Sequence, residues 1–296
     1  PLKTKKNYTN YLYMDISYIS LIIFIIITLL YISSMPVIGK PPLLLNAQGT
    51  LTNDDLMNYY AACMPKLGIY LLLVVVTQFG LNITYLIDKC KGNASKNVGA
   101  AALFTFVPWV LIFGVMVAVI IIFPGFKMAF SNVIGYFVVS GRTNDLLSRI
   151  LIDTDVNQAI EKTHDPSKKT ELMLAAEAIM KICGNKSILI NQMYPDNFST
   201  IWDVLKPLLK DPSTYTDNSV KQELLDLVVL RDNVGEALWY IYTAILVSSI
   251  VYYNLATRGC VKDINAIKSD YDEYLKTQEE TEKKNEINNS TVYTVS

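Results

Sequence analysis

The run VGAAALFTFVPWVLIFGVMVAVIIIFPGF, residues 98–126, decides how the rest of the chain is read. It holds no charged residue. A helix crosses the hydrocarbon core of a bilayer with about 20 apolar residues, and this run is long enough. Pro108 lies inside it and can kink it, because proline removes one backbone hydrogen bond. Three other stretches share its character. They run from Ile16 to Ile38, from Leu67 to Ile87 and from Ala237 to Thr257, again with no charge inside. In the first, roughly ten Ile, Leu and Phe residues favour insertion by about 3–6 kcal/mol, and no charge opposes it. The expectation is an all-α integral membrane protein with four transmembrane helices.

Composition agrees. The chain has 296 residues, a net charge of -1 and 18% charged residues. Soluble domains carry about 25%, and here the deficit is concentrated in the four runs. A net charge near zero shows no basic stripe for nucleic acid. The first run is longer than the roughly 7–15 apolar residues of a signal peptide, and no small-residue cleavage site follows it. Tyr11, Tyr13 and Tyr18 flank the first run. Trp239, Tyr240, Tyr242, Tyr252 and Tyr253 mark the ends of the fourth. Such rings favour the headgroup level.

Basic residues set the expected orientation. Lys3, Lys5 and Lys6 precede the first run, Lys89, Lys91 and Lys96 separate the second from the third, and Arg258 and Lys262 follow the fourth. With four crossings these segments share one side, which the positive-inside rule makes cytosolic. Both termini then lie on that side. The chain divides into a basic N-terminal flank (1–15), three spans with short loops (16–126), a helical extramembrane domain (127–236), the fourth span (237–257) and a polar tail (258–296).

Within the domain, Asp165 and Pro166 suit a helix start. The helix would place Leu172, Ala176, Ile179, Met180 and Cys183 on one face, with Gly184 ending it. Ser219 and Gln222 have capping-box spacing for a second helix. Its apolar face would be Val220, Leu224, Leu227 and Val228, and it would run through Arg231 and Glu236 into the fourth span. No strand alternation is present. In the tail, Ile264, Ile267, Tyr271 and Tyr274 repeat at three and four residues. They suggest two amphipathic turns or a short coiled-coil seam. From Gln278 onward the composition reads as disordered unless a partner orders it.

The candidate chemistry is sparse. The one histidine, His164, precedes Asp165-Pro166 and reads as a helix-start loop rather than a catalytic dyad. The Asp153 and Asp155 pair reads as a solvated loop. No zinc-type cysteine spacing, phosphate loop or dinucleotide fingerprint occurs. The chain is therefore expected to be no enzyme and to need no cofactor or metal. The spans also lack the ionisable groups that carriers place in the membrane. Gln78 and Asn82, four apart on one helix face, and Asn254 read as helix–helix contacts. Glu236 reads as an interfacial anchor or, with Arg231, as a contact for a partner subunit. Cys63 and Cys183 lie on the expected non-cytosolic side, where a disulfide between them is allowed. Cys90 and Cys260 lie just past spans on the Lys-rich side, where juxtamembrane cysteines are palmitoylation sites. Asn185 and Asn197 begin glycosylation acceptor patterns.

The layout of four spans with a large second outer loop resembles a tetraspanin. However, the Cys-Cys-Gly motif of that family is reduced here to Cys183-Gly184. A second resemblance lies around the fourth span. The run Leu230-Arg231-Asp232-Asn233-Val234-Gly235-Glu236-Ala237-Leu238-Trp239 is followed by Ser248-Ser249, Tyr252-Tyr253-Asn254 and Cys260. Together they resemble inner-membrane-associated structural proteins, of minor capsid type, of nucleocytoplasmic large DNA viruses. The resemblance implies a structural protein in a virion inner membrane, derived from a host membrane during assembly and tied to a capsid shell. Its expected partners are the lipid bilayer, other membrane or capsid proteins and further copies of itself, with no nucleic acid. The competing expectation is a cellular transporter or an accessory subunit of an organellar membrane complex.

Overall fold

A computed structural model of the chain describes residues 18–33, 35–90, 94–151, 186–260 and 264–289. The described elements are α1 (Tyr18–Ile32), α2 (Asn53–Lys89), α3 (Asn97–Ile122), α4 (Tyr136–Ile150), α5 (Phe198–Leu205), α6 (Asn218–Thr257) and α7 (Ile264–Asn289). Short 3-10 and π turns fill most of the joins. Among the described residues the only extended pairing is an isolated bridge between Leu151 and Leu209.

Three helices, α2, α3 and α6, are long and apolar enough to cross a membrane. The described α1 is shorter and ends at Ile32, not at the expected Ile38. Pro36 disfavours helix in the residue before it, and the chain folds back so that the Lys40 amide donates to the Tyr31 carbonyl at 2.8 Å. Pro108 perturbs α3 as expected. The helix widens into a π turn over Trp109–Phe113 directly after it, a common response to a missing backbone donor.

The helices enclose two cores. In one, Phe24 of α1 meets Trp109 and Phe113 of α3 at 5.5 and 5.6 Å between ring centroids. Beside them Tyr31, Tyr70 and Tyr240 group their rings, with Tyr31 stacked on Tyr70 at 4.5 Å. The other core belongs mainly to the segment expected to form the extramembrane domain. Leu146 and Leu147 of α4, Phe198 and Trp202 of α5, and Leu224 and Val228 of α6 fill it. Leu43, Leu51 and Leu56 also lie in this core, so the segment after α1 completes a domain that the sequence had confined to 127–236. A loop without periodicity gives no sign of such packing. Gln222 fixes the segment from α6: its amide donates to the Leu43 carbonyl and its carbonyl accepts from the Leu45 amide, both at 2.9 Å.

The continuous helix through Arg231 and Glu236 into the last apolar run is present, as α6 of 40 residues. The helices α2 and α6 would each extend about 55–60 Å at 1.5 Å per residue, roughly twice the hydrocarbon thickness. Each therefore reaches from one core into the other. The start of α6 differs from the expected capping box. Asp217, not Ser219, caps the helix, accepting from the Ser219 and Val220 amides at 2.9 and 3.4 Å. These bonds, led by the Ser219 hydroxyl, hold the Asp217 carboxyl below its usual range. A depressed carboxylate stabilises above the unfolded-state pKa and loses that contribution as pH falls through the folded value. Asp217→Ala should lower the thermal midpoint at pH 7, and the difference from wild type should shrink on acidification in paired melts.

The helix expected after Asp165 lies outside the described residues, as do His164, Asp153, Asp155, Cys183, Asn185 and the flank 1–15. The tail departs from expectation: α7 continues to Asn289 instead of ending near Gln278. The polar residues that suggested disorder also place Glu279 four before Lys283 and Glu280 four before Lys284, a spacing and order that favour helix.

Candidate functional site

Where α6 passes from the domain into its apolar half, Asp232, Asn233, Glu236 and Tyr240 share one face. Two lysines from distant parts of the chain reach this face. Lys40, placed by the reversal after α1, donates to Glu236 Oε2 at 2.8 Å and to Asn233 Oδ1 at 3.0 Å. Lys127, at the end of the 3-10 turn Pro124–Lys127, donates to Asp232 Oδ2 at 2.7 Å and lies 3.7 Å from Glu236 Oε2. The Tyr240 hydroxyl donates to the other Glu236 oxygen at 2.9 Å. Glu236 is buried, yet both its oxygens are matched, as a buried carboxylate requires. Burial works against the Lys127 charge, but Asp232 and Glu236 outweigh it and hold this ammonium above its ordinary pKa.

Two glycines allow the lysine-bearing turn to come this close. A Cβ on Gly235 would lie 2.7 Å from Ser131 Cβ, and one on Gly135 would lie 2.5 Å from the Arg231 carbonyl oxygen. Arg231 itself turns into the domain and is fully buried. Its guanidinium donates to the Ile190 and Met193 carbonyls and stacks over the Tyr194 ring at 4.8 Å. The sequence reads Glu236 as an interfacial anchor or, with Arg231, as a contact for a partner subunit. Both side chains are engaged within the chain, Glu236 by Lys40 and Tyr240 and Arg231 by backbone carbonyls.

A cavity of about 310 Å³ opens beside the charged cluster. Glu236, Lys40, Tyr31 and Tyr240 line its buried end, and Tyr59, Tyr60 and Asp196 line its exposed end. Its volume lies at the low end for small-molecule sites. The Tyr60 hydroxyl donates to Asp196 Oδ1 at 3.0 Å. Cys63 also lines the cavity. It is half-buried and forms no disulfide.

The other sequence-derived residues are distributed as follows. Gln78 exchanges two hydrogen bonds with Ser20 of α1, and Asn82 donates to Thr105 Oγ1 of α3 at 2.9 Å. The shared face of α2 thus serves two neighbours. Asn254 is half-buried, and its side chain makes no hydrogen bond to a described residue. Cys90 and Cys260 are joined in a disulfide across 170 residues, and in this bonded form neither thiol is open to lipidation. The ends of α2 and α6 converge here, and Lys89 donates to the Leu255, Ala256 and Arg258 carbonyls at 2.7–2.8 Å. Asn197 uses its side-chain amide within the fold, donating to the Gln192 carbonyl at 3.0 Å. The acceptor pattern it begins therefore has its nitrogen engaged.

Known proteins add nothing to this geometry. No family model, no curated protein and no solved structure matches the chain.

Proposed function

We propose that this chain is a multi-span structural membrane protein that anchors a protein assembly, linking a viral inner membrane to its capsid. The observation that carries the reading is α7. It is 26 residues long and presents Ile267, Tyr271 and Tyr274 at 52%, 60% and 63% exposure. Positions repeating at four and three residues form one seam. An isolated helix of mixed polarity is marginal in water, so an exposed seam of this kind suits a partner helix. The viral setting rests on the likeness of Leu230–Trp239 and the residues that follow.

The membrane part supports a scaffold over a carrier. Gln78 and Asn82 are occupied by neighbouring helices, and the space beside them and Ser248 is about 20 Å³. That is room for about one water, not for a solute path. In this reading α1 is a fourth span, and the chain performs no reaction. The pairing of Ser20 with Gln78 and of Thr28 with Tyr70 aligns α1 antiparallel to α2 along its described length. Four crossings put both termini on the Lys-rich, cytosolic side. Reporters at Lys210 and at the C-terminus should then label from opposite sides of the membrane.

The function is tested by purifying the intact chain from its native membrane beside a Tyr271→Glu, Tyr274→Glu variant. The intact chain should bring down capsid or membrane proteins that the variant, equally inserted, does not. Purified protein moving ions or solutes across liposomes at a carrier-like rate would sink the proposal.

A further inference from the structure

The cavity beside Glu236 lies where the apolar halves of the long helices meet the domain. Its apolar wall includes Ile120 and Ile121 from the last turn of α3 and Met64 from α2. Ile121 and Met64 are 42% and 48% exposed, so this wall continues onto the outer, lipid-facing surface of the spans. Past α3 the apolar surface turns sideways. Phe126 and Met128 are exposed, and Val133, Ile134, Phe137 and Val138 lie exposed on one side of the following helical segment. An apolar strip of this kind suits the boundary between headgroups and acyl chains. The cavity then opens at headgroup depth, under the domain.

Its charged lining selects the headgroup. Asp196, Asp232 and Glu236 provide three carboxylates, against the ammonium groups of Lys40 and Lys127. The excess of one negative charge favours a ligand with a cationic end. Tyr59 and Tyr60, with ring centroids 5.4 Å apart, stand at the exposed end beside Asp196. Aromatic faces with a neighbouring carboxylate recognise ammonium and choline-like cations. Lys127 supplies the opposite pole, an ammonium with three donors for a phosphate. A second pocket of about 150 Å³ shares Tyr60, Lys127, Asp196 and Asp232 with the first and extends its polar end.

We infer that this cavity holds the headgroup of a zwitterionic phospholipid from the domain-facing leaflet. The ammonium end sits among Asp196, Tyr59 and Tyr60, the phosphate lies by Lys127, and the acyl chains leave over Ile121 and Met64. The lipid would fill the gap between membrane and domain and fix the angle between them. An anionic lipid such as phosphatidylglycerol carries the same phosphate but brings no ammonium to offset the carboxylates there.

The test is native mass spectrometry of the full chain in detergent. The probes are phosphatidylethanolamine and phosphatidylglycerol with identical acyl chains, and water-soluble glycerophosphoethanolamine as competitor. Wild type should retain phosphatidylethanolamine roughly tenfold better than phosphatidylglycerol, a difference of about 1.4 kcal/mol. Asp196→Lys reverses the charge at an exposed position and should abolish that preference with an unchanged thermal midpoint. The soluble competitor should displace nothing at millimolar concentration. Equal retention of both lipids, retention of neither, or an Asp196→Lys variant that keeps the preference overturns the inference. Displacement by the soluble headgroup would identify a water-borne ligand instead and overturn it equally.

Discussion

Glu236→Ala should destabilise the folded chain by about 3–5 kcal/mol, the cost of breaking a buried ion pair from one side. The substitution removes the shared acceptor of Lys40 and Tyr240 and the second carboxylate beside Lys127. Lys40 keeps only Asn233 as a hydrogen-bonding partner and stays buried with its charge. Glu236→Gln preserves shape but not charge and should cost nearly as much. The combined Lys40→Met, Glu236→Leu variant should recover much of the loss, because replacing both members of a buried pair by apolar groups is often close to neutral. Lys127 would still hold Asp232 at 2.7 Å. Denaturant unfolding in detergent, followed by fluorescence of the buried Trp109 and Trp202, gives these stabilities, and the single variants Lys40→Met and Glu236→Leu complete a double-mutant cycle. A Glu236→Ala protein within about 0.5 kcal/mol of wild type, the range of ordinary surface substitutions, would mean that water reaches the pair. The pH dependence has a fixed sign. A lysine whose folded pKa is raised contributes fully below its unfolded value of about 10.4 and loses that contribution only as pH rises through the folded value. The Lys127 contribution should therefore be constant from neutral pH to about 9.

The ion cluster also marks how far the sequence could be read. Uncharged runs, and the unbroken passage of α6 through Arg231 and Glu236, are local properties, visible wherever twenty residues are read together. Gln78 and Asn82 were legible as helix contacts for the same reason: a polar amide in an apolar helix needs a neighbour. The partners of Glu236 were not legible. They lie 196 and 109 residues away, at Lys40 and Lys127, and each lysine taken alone reads as a topology signal. One clue was present. Two carboxylates and an amide share a helix face where that helix turns apolar, and such a face needs cations at the same depth. Lys40, Lys66 and Lys127 are among the basic residues that flank the apolar runs there. Likewise Leu43 and Leu51 lie in a loop without periodicity and Leu56 in the first turn of α2, so nothing marked them as part of the domain core.

The Cys90–Cys260 bond bears on both stability and orientation. It closes a 170-residue separation, and a loop that long should contribute about 4–5 kcal/mol by restricting the unfolded chain. The folded ends are held independently by the three bonds from Lys89 to the last carbonyls of α6 and the residue beyond. Cys90→Ser with Cys260→Ser should therefore lower the unfolding midpoint strongly while leaving native-state protease protection near 89 and 258 unchanged. Loss of that protection would show that the bond, not Lys89, keeps the ends together. The same cysteines report the compartment. Disulfides persist in oxidising surroundings and are rare in the cytosol, whereas the orientation proposed from the lysines around them assigns this end to the cytosol. With the orientation proposed above, rapid thiol blocking in intact cells should trap Cys90 and Cys260 as free thiols, with the bond forming only after lysis in air. A bond already closed in cells would put the Lys-rich end on the non-cytosolic side. It would also reverse the face from which the domain meets its partners, because the charge rule acts during insertion and a persistent bond reports where the chain resides.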